Sequence, residues 1–205
     1  MNDIFGSEKR APEMNAPTFG LTFPHTWQVE VLPARPAILP ARHFVYPREV
    51  DEIERGALEV LVRPDEPGSA PFLATCALGF RDPAVPTGIW SMPNPHEMCA
   101  VSGGYAYVID TASPERFTML RYRPVLQVRP VVDRDLLLFV GHRSILAWGA
   151  DGKAWETVKL SDEGVTVTAI EGPVLRGLGW NMMSDKETPF ALDLRSGGVA
   201  WVRVP

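Results

Sequence analysis

A strand–turn–strand pattern that recurs after 45 residues restricts the fold of this chain more than any other sequence feature. One copy spans residues 147–155 and the other residues 191–201. Each has the end of a strand, a polar turn with glycine, and a second strand containing Trp. Because the turn glycines Gly152 and Gly197 are 45 positions apart, the pattern predicts a repeated structural unit of that length.

A weaker third copy lies at residues 107–114, where Asp110 corresponds to Gly149 and Asp193 of the other copies. A period of 40–45 residues with four strands in each period is typical of propeller blades. A single four-stranded meander cannot bury either of its faces, whereas stacked meanders shield one another from water. The sequence therefore predicts an all-β fold, a propeller-like stack of four-stranded antiparallel blades.

Frequent turn residues divide the rest of the chain, which has 20 Pro and 17 Gly. Residues 1–20 are predicted to be a flexible tail or an arm that wraps an edge, and residues 21–205 a single β domain. We predict N-terminal strands within residues 22–80, a small helix near 48–58, and blade-like units at about 88–122, 125–160 and 165–204. The predicted strands are 27–32, 43–46, 57–63, 72–80, 89–92, 98–102, 105–109, 117–122, 125–131, 136–140, 144–148, 154–160, 165–171, 174–180, 189–194 and 199–204.

Three blades cannot close a ring, so the N-terminal strands are expected to supply a fourth. We favour a compact four-bladed disc over an open array or over two chains that complete each other. A homodimer is compatible with each arrangement. Exposed blade faces and edges would otherwise leave apolar surface and unpaired backbone groups in water.

Residues 191–201 resemble the repeat of PQQ-type quinoprotein propellers, whose blades carry Ala-Leu-Asp, a turn glycine and a Trp at this spacing. Residues 147–155 match the same repeat in part. The resemblance implies blade geometry only, since quinoproteins need more blades together with cofactor and calcium ligands that cannot be placed in this sequence. Residues 72–193 also resemble an uncharacterised bacterial blade-repeat family, through segments such as 76–80, 103–107 and 147–149. That resemblance implies no activity, and no cofactor is predicted.

Charge and hydropathy exclude several classes of function. The net charge of −5 and the sequence pI of about 5.4 argue against nonspecific nucleic-acid binding but leave room for a local basic patch. No segment reaches the roughly 18 apolar residues of a membrane helix. Residues 1–14 lack the apolar core of a secretory signal, and two cysteines are too few for a disulfide framework. We therefore expect a soluble, cytoplasmic protein that does not bind membranes.

The segment 94–99 places His96 and Cys99 close together in sequence. They could contribute to a zinc site if other ligands converged, or form a nucleophile pair. The spacing of the other His and Cys residues supplies no second pair of ligands. The favoured interpretation is a loop followed by a buried free cysteine, so no metal is predicted.

Residues 120–129 alternate as a strand would, with Arg121, Arg123 and Arg129 on one face. A row of guanidinium groups could bind a carboxylate or a phosphate. The alternative is a solvated strand face with ion pairs to Asp133 and Asp135.

Six tryptophans are many for this length, and most of them are predicted to fill the space between blades. Trp155 and Trp201 recur at equivalent repeat positions, so both are expected in the core. Trp180 and Asn181 end a predicted strand before a polar loop, which makes them candidate ligand contacts. The acidic pairs of the sequence are interpreted as solvated charges.

The most favoured function is a non-catalytic binding or interaction module whose ligand is a small molecule or a protein. One alternative is a hydrolase or lyase whose site is assembled from several blades, because such sites have no local signature. The other is a structural subunit that completes a sheet assembly.

Overall fold

The computed structural model of the protein describes residues 16–48 and 50–201. Within these residues the fold is all-β, as the sequence predicts. Two short 3-10 helices, Val50–Arg55 and Val132–Arg134, accompany the strands. In chain order the strands are β1 (Thr18–Gly20), β2 (Trp27–Leu32), β3 (His43–Tyr46), β4 (Ala57–Pro64), β5 (Phe72–Ala77), β6 (Gly88–Ser91), β7 (Glu97–Ser102), β8 (Tyr105–Asp110), β9 (Phe117–Met119), β10 (Val125–Val131), β11 (Leu136–Gly141), β12 (Ile145–Gly149), β13 (Gly152–Glu156), β14 (Val165–Glu171), β15 (Val174–Asn181), β16 (Lys186–Asp193) and β17 (Val199–Trp201).

Four sheets contain these strands. Three of them contain antiparallel meanders of four strands: the first sheet contains β6–β9, the second β10–β13 and the third β14–β17. The N-terminal sheet has the order β2-β4-β5-β3, in which β3 and β5 run parallel. Strand β1, which falls in the predicted tail or arm, pairs in parallel with β6 at the edge of the first sheet. Residues 1–15 and 202–205 lie outside the described residues.

Several predicted strands end earlier in the structure, and backbone hydrogen bonds explain why. Strand β5 ends at Ala77 because the N–H groups of Gly79 and Phe80 donate to the carbonyl oxygens of Ser102 and Gly103, at 3.0 and 2.8 Å. The chain has already crossed to the first sheet at that point. Strands β9 and β13 similarly end at Met119 and Glu156, and linkers to the next sheet follow.

Three apolar cores join the four sheets in a row. Tyr46 and Tyr107 lie in the core between the N-terminal and first sheets, and Trp148 lies between the first and second. Trp155 and Phe190 lie between the second and third. Burying a side chain of this size contributes about 1.5–3 kcal/mol. Among the described residues, no core cluster joins the third sheet to the N-terminal one.

The third strands of the three meanders end at the residues that the sequence comparison aligned. Asp110 ends β8 and its Oδ1 accepts from the backbone N–H of Ala112 at 2.9 Å. Asp193 ends β16 and its Oδ1 accepts from Arg195 at 2.8 Å. Gly149 ends β12 at the corresponding place. The three sequence copies therefore occupy the same position in their sheets.

The predicted equivalence of Trp155 and Trp201 is wrong. Trp155 pairs with Ala147 and is 9% exposed, whereas Trp201 pairs with Phe190 and is 47% exposed. The β16–β17 connection is longer than the tight β12–β13 hairpin, which shifts the position of the indole along the strand. Trp201 contacts Phe190 edge to face, with 6.2 Å between ring centroids, at the rim of the core.

Within the described residues, no helix is long and apolar enough to cross a membrane.

Candidate anion-binding cleft

Loops from three sheets surround a cleft of about 660 Å³. They are the β9–β10 linker, the β11–β12 turn, the β13–β14 linker and the β15–β16 turn. All four lie at the same end of the strands, because each sheet is a meander. The residues that line the cleft are Arg121, Tyr122, Arg123, Pro124, His142, Arg143, Ser144, Asp162, Glu163 and Met182.

The predicted row of arginines along one strand face is wrong, although two of its members share this cleft. Arg121 and Arg123 lie in the β9–β10 linker, and the chain rejoins a sheet only at Val125. Arg129 lies on β10, outside the cleft lining, and its Nε donates to Gln127 Oε1 at 3.0 Å. Alternation therefore does not extend from Leu120 to Arg129, because the linker between two sheets interrupts it. Arg143, from the β11–β12 turn, takes the place that we predicted for Arg129.

Tyr122 fixes the linker that carries Arg121 and Arg123 against the second sheet by a hydrogen bond and by close packing. The Tyr122 hydroxyl donates to the carbonyl oxygen of Ser144. A Cβ at Gly141 would meet the Tyr122 ring at 2.7 Å, so glycine is required for this close approach. Burial raises the pKa of the Tyr122 phenol, which keeps it a neutral donor.

Aromatic and sulfur contacts support Arg123. Its Cζ lies 4.6 Å from the centroid of the Tyr105 ring. One terminal nitrogen donates to the Met119 sulfur at 3.2 Å. A cation–π contact does not use the guanidinium N–H groups, so those not bonded to Met119 can donate to a ligand.

Backbone hydrogen bonds tie the β11–β12 turn to the β13–β14 linker. The carbonyl oxygen of Arg143 accepts from Leu160 at 2.6 Å, and that of His142 accepts from Gly164 at 2.8 Å. The side chains of His142 and Arg143 are exposed. The backbone of the cleft is thus fixed while its charged side chains face solvent.

The charges in the cleft are unbalanced. Within the described residues, Arg121, Arg123 and Arg143 have no carboxylate within 4.0 Å of their guanidinium nitrogens. Asp162 is paired with Lys159 and accepts from the Met182 N–H at 2.8 Å. These hydrogen bonds lower the pKa of the Asp162 carboxyl. Three guanidinium groups without an ion pair within 4.0 Å therefore face a concavity that also contains the carboxyl groups of Asp162 and Glu163, and Arg143 contributes to the lowered pKa of Asp162.

The other predicted contact residues, Trp180 and Asn181, border a neighbouring cleft of about 270 Å³. Asp162 lines both clefts. Alternation along β15 places the Trp180 indole on the opposite face of the sheet from Asn181. Trp180 and Asn181 therefore line a different cleft from Arg121 and Arg123.

The structure does not bring His96 and Cys99 together into a ligand pair. Cys99 is fully buried in the core between the first and second sheets, and burial raises the pKa of its thiol. The His96 imidazole is about half exposed and lies 3.2 Å from Glu66 Oε1. Within the described residues, no three His, Cys, Asp or Glu side chains are grouped as metal ligands.

Sequence analysis missed a carboxylate pair on the first sheet. Glu97 and Asp110 are direct cross-strand partners in the β7–β8 hairpin and line a cleft of about 400 Å³. Burial and the nearby Asp110 raise the pKa of Glu97, although its Oε2 accepts from Trp148 Nε1 at 3.3 Å. A two-residue turn at Gly103-Gly104 already implied this pairing, because Glu97 and Asp110 are equidistant from it.

Sequence analysis also missed a buried polar network on the outer face of the N-terminal sheet. Glu59 is 5% exposed and accepts from Thr75 Oγ1 at 2.5 Å and from Arg35 Nε at 2.9 Å. Because the Thr75 hydroxyl donates to Glu59, His43 Nε2 donates to Thr75 Oγ1, at 2.8 Å. Burial lowers the pKa of His43, and the charge of Arg35 lowers it further.

No protein-family model matches this sequence, and no curated protein matches it significantly.

Proposed function

We propose that this chain is a non-catalytic binding module that holds an anionic group, a carboxylate or a phosphate, in the cleft between its linkers. The observation that carries the proposal is the meeting of Arg121, Arg123 and Arg143 in one cleft, where none of them has a carboxylate of the described residues within 4.0 Å. Guanidinium groups bind carboxylate and phosphate through paired N–H donors.

The ionised carboxylate and the fixed backbone of the cleft support ligand binding rather than acid–base chemistry. Asp162, the part-buried carboxylate of the cleft, has a lowered pKa and is held ionised by Lys159. A general acid or base is instead tuned toward neutral pH by its environment. The backbone around the cleft is preorganised by Tyr122 and by the carbonyl groups of His142 and Arg143, which reduces the entropy cost of binding.

Thermal unfolding in phosphate tests the proposal. A ligand at ten times its Kd stabilises a protein by about 1.4 kcal/mol, which for this chain length is about 3–6 °C in Tm. We expect phosphate to raise the Tm of the wild type relative to chloride at equal ionic strength. The double variant Arg121→Ala/Arg143→Ala should lose this shift, and Arg129→Ala, a matched exposed arginine outside the cleft, should keep it. Equal shifts in all three proteins would refute the proposal.

We also propose that the sheets are blades of a propeller-like stack. Three meanders of common topology, and equivalent aspartates at the ends of two third strands, support this proposal. The row of three cores supports an open array over a closed disc. Small-angle scattering of the full chain distinguishes the elongated array from the compact disc.

A second candidate function is acid–base catalysis at Glu97 and Asp110. The raised pKa of Glu97, which lies opposite Asp110 in this cleft, is the observation that favours it, because a carboxyl group with a raised pKa can act as a general acid. Asp110, however, accepts from Ala112 and Ser113 and pairs with Arg116, which points to a role in ordering its turn. Hydrolysis of p-nitrophenyl glycosides or esters that Glu97→Gln abolishes and Glu163→Gln preserves would favour catalysis.

A further inference from the structure

We propose that the occupant of the arginine cleft is an acidic protein segment that also carries apolar side chains. The inference rests on the proposed anion-binding function and names its partner class. The observation that adds to the arginines is a pair of exposed methionines at the cleft. Met182 lines the cleft and is 66% exposed, and the next residue, Met183, is 96% exposed.

The backbone holds these methionines in place. The N–H of Met182 donates to Asp162 Oδ2 at 2.8 Å, and the N–H of Ser184 donates to Asn181 Oδ1 at 3.1 Å. Asp162 is itself anchored, because its N–H donates to the carbonyl oxygen of Trp180 at 2.8 Å. The turn therefore presents two long apolar side chains to water from a fixed backbone. Methionine adapts to partner shapes and is frequent at peptide-binding surfaces.

The size and charge of the cleft favour a polypeptide over a lone anion. At about 660 Å³ the cleft is far larger than one carboxylate or phosphate. Arg121 and Arg143 come from different sheet connections, which suits several anionic groups spaced along a chain. An acidic segment complements the three unpaired guanidinium groups, and its apolar side chains would remove the methionines from water. A concave site also favours an inserted segment over a flat bilayer surface.

Fluorescence anisotropy with a labelled peptide that alternates glutamate with leucine tests the inference. The full-length protein should bind this peptide, and binding should weaken at least fivefold when serine replaces leucine or glutamine replaces glutamate. Because Met183 contributes apolar area but does not line the anion cleft, Met183→Ser should weaken peptide binding about five- to tenfold. The same variant should keep the Tm shift in phosphate. Val132→Ser removes a matched exposed apolar group at the opposite end of the second sheet and should leave peptide affinity unchanged.

The possible outcomes separate the two proposals. A phosphate shift without peptide binding, or equal affinity for the leucine and serine peptides, would overturn the peptide inference and leave the anion site intact. Binding to phosphatidylserine vesicles but not to the peptide would overturn it in favour of a membrane surface. Loss of the phosphate shift and of peptide binding in the wild type would overturn both proposals.

Discussion

The indole nitrogen of Trp155 donates a 2.9 Å hydrogen bond to the carbonyl oxygen of Leu194, across the interface between the second and third sheets. This bond satisfies a polar group in a core where Trp155 is 9% exposed and Leu194 is buried. It joins a fourth strand of one meander to the end of a third strand in the next. The interface between these sheets therefore combines apolar burial with one directional contact.

Trp155→Ala should destabilise the protein by about 3–5 kcal/mol, because it opens a cavity and leaves the Leu194 carbonyl unpaired. Trp201→Ala should cost about 1 kcal/mol or less, since Trp201 is 47% exposed and contributes chiefly one ring contact with Phe190. Urea unfolding of both variants gives the comparison. Equal losses would contradict the inequivalence of the two tryptophans.

Glu97→Gln should stabilise the protein at neutral pH but not in acid. The folded-state pKa of Glu97 is raised by burial, so its neutral form favours folding below the unfolded pKa of about 4.3. The wild type loses that contribution as pH rises through the folded pKa, and the glutamine variant does not. Free energies of unfolding across a pH series should therefore diverge toward neutral pH. Glu163→Gln, at an exposed carboxylate, provides the control. If the free energies of unfolding of the wild type and Glu97→Gln instead diverged toward acidic pH, the pKa of Glu97 would be lowered by folding and not raised.

Thr75→Val should destabilise the protein by about 1–3 kcal/mol, because the buried Glu59 carboxylate loses a donor and His43 loses its acceptor. Thr75→Ser keeps the hydroxyl and should recover most of the loss. Thr166→Val changes the same atoms at an exposed site on β14 and should stay within about 0.5 kcal/mol of the wild type. Chemical denaturation measures the free energy of unfolding of all three variants. If Thr75→Val left this free energy unchanged, the network would not stabilise the fold.

Gly179→Ala should both destabilise the fold and weaken phosphate binding. A Cβ at Gly179 would lie 2.0 Å from the carbonyl oxygen of Leu160, so the β13–β14 linker would have to move. Overpacking of this kind costs about 1–3 kcal/mol, and the same linker carries Asp162. Gly149→Ala meets only ordinary contacts of 3.8 Å or more and is the matched control. Thermal melts with and without phosphate report both effects. A Tm shift in phosphate as large as that of the wild type would show that the β13–β14 linker does not contribute to phosphate binding.

Much of the strand pattern follows from the sequence, because short apolar runs between Gly and Pro turns leave few alternatives. Four strands, Trp27–Leu32, His43–Tyr46, Val125–Val131 and Val165–Glu171, have the predicted bounds. The linkers were not predictable, since Arg121 and Arg123 continue the alternation of β9 after the backbone has left its sheet. The parallel pairing of β3 with β5 depends on long-range contacts that a local pattern does not contain.

The site was only partly predictable, and for a related reason. Arg121 and Arg123 were candidate anion ligands from the sequence, but Arg143 and Met182 reach the cleft from other sheet connections. Each strand of a meander reverses the chain direction, so predicting which loops lie at the same end of the sheets requires that every strand be identified correctly. The cross-strand pairing of Glu97 with Asp110 could have been predicted from the sequence, because it follows from the position of a single turn. Glu59 was not, since no local signal marks a glutamate that pairs with Arg35 at a distance of 24 residues in the chain.

The network around Glu59 also opposes the packing of a further sheet against the outer face of the N-terminal sheet. A further sheet placed on that side of the N-terminal sheet would have to strip water from Arg35 and enclose an ion pair in a dry interface, at a cost that apolar contact does not readily offset. Its inward side, by contrast, is lined by buried apolar and aromatic side chains together with the Cys76 thiol. The N-terminal sheet thus has one apolar face that packs against the first sheet and one polar face that disfavours packing. The side chains of the outer face therefore oppose the addition of another sheet at this end of the molecule.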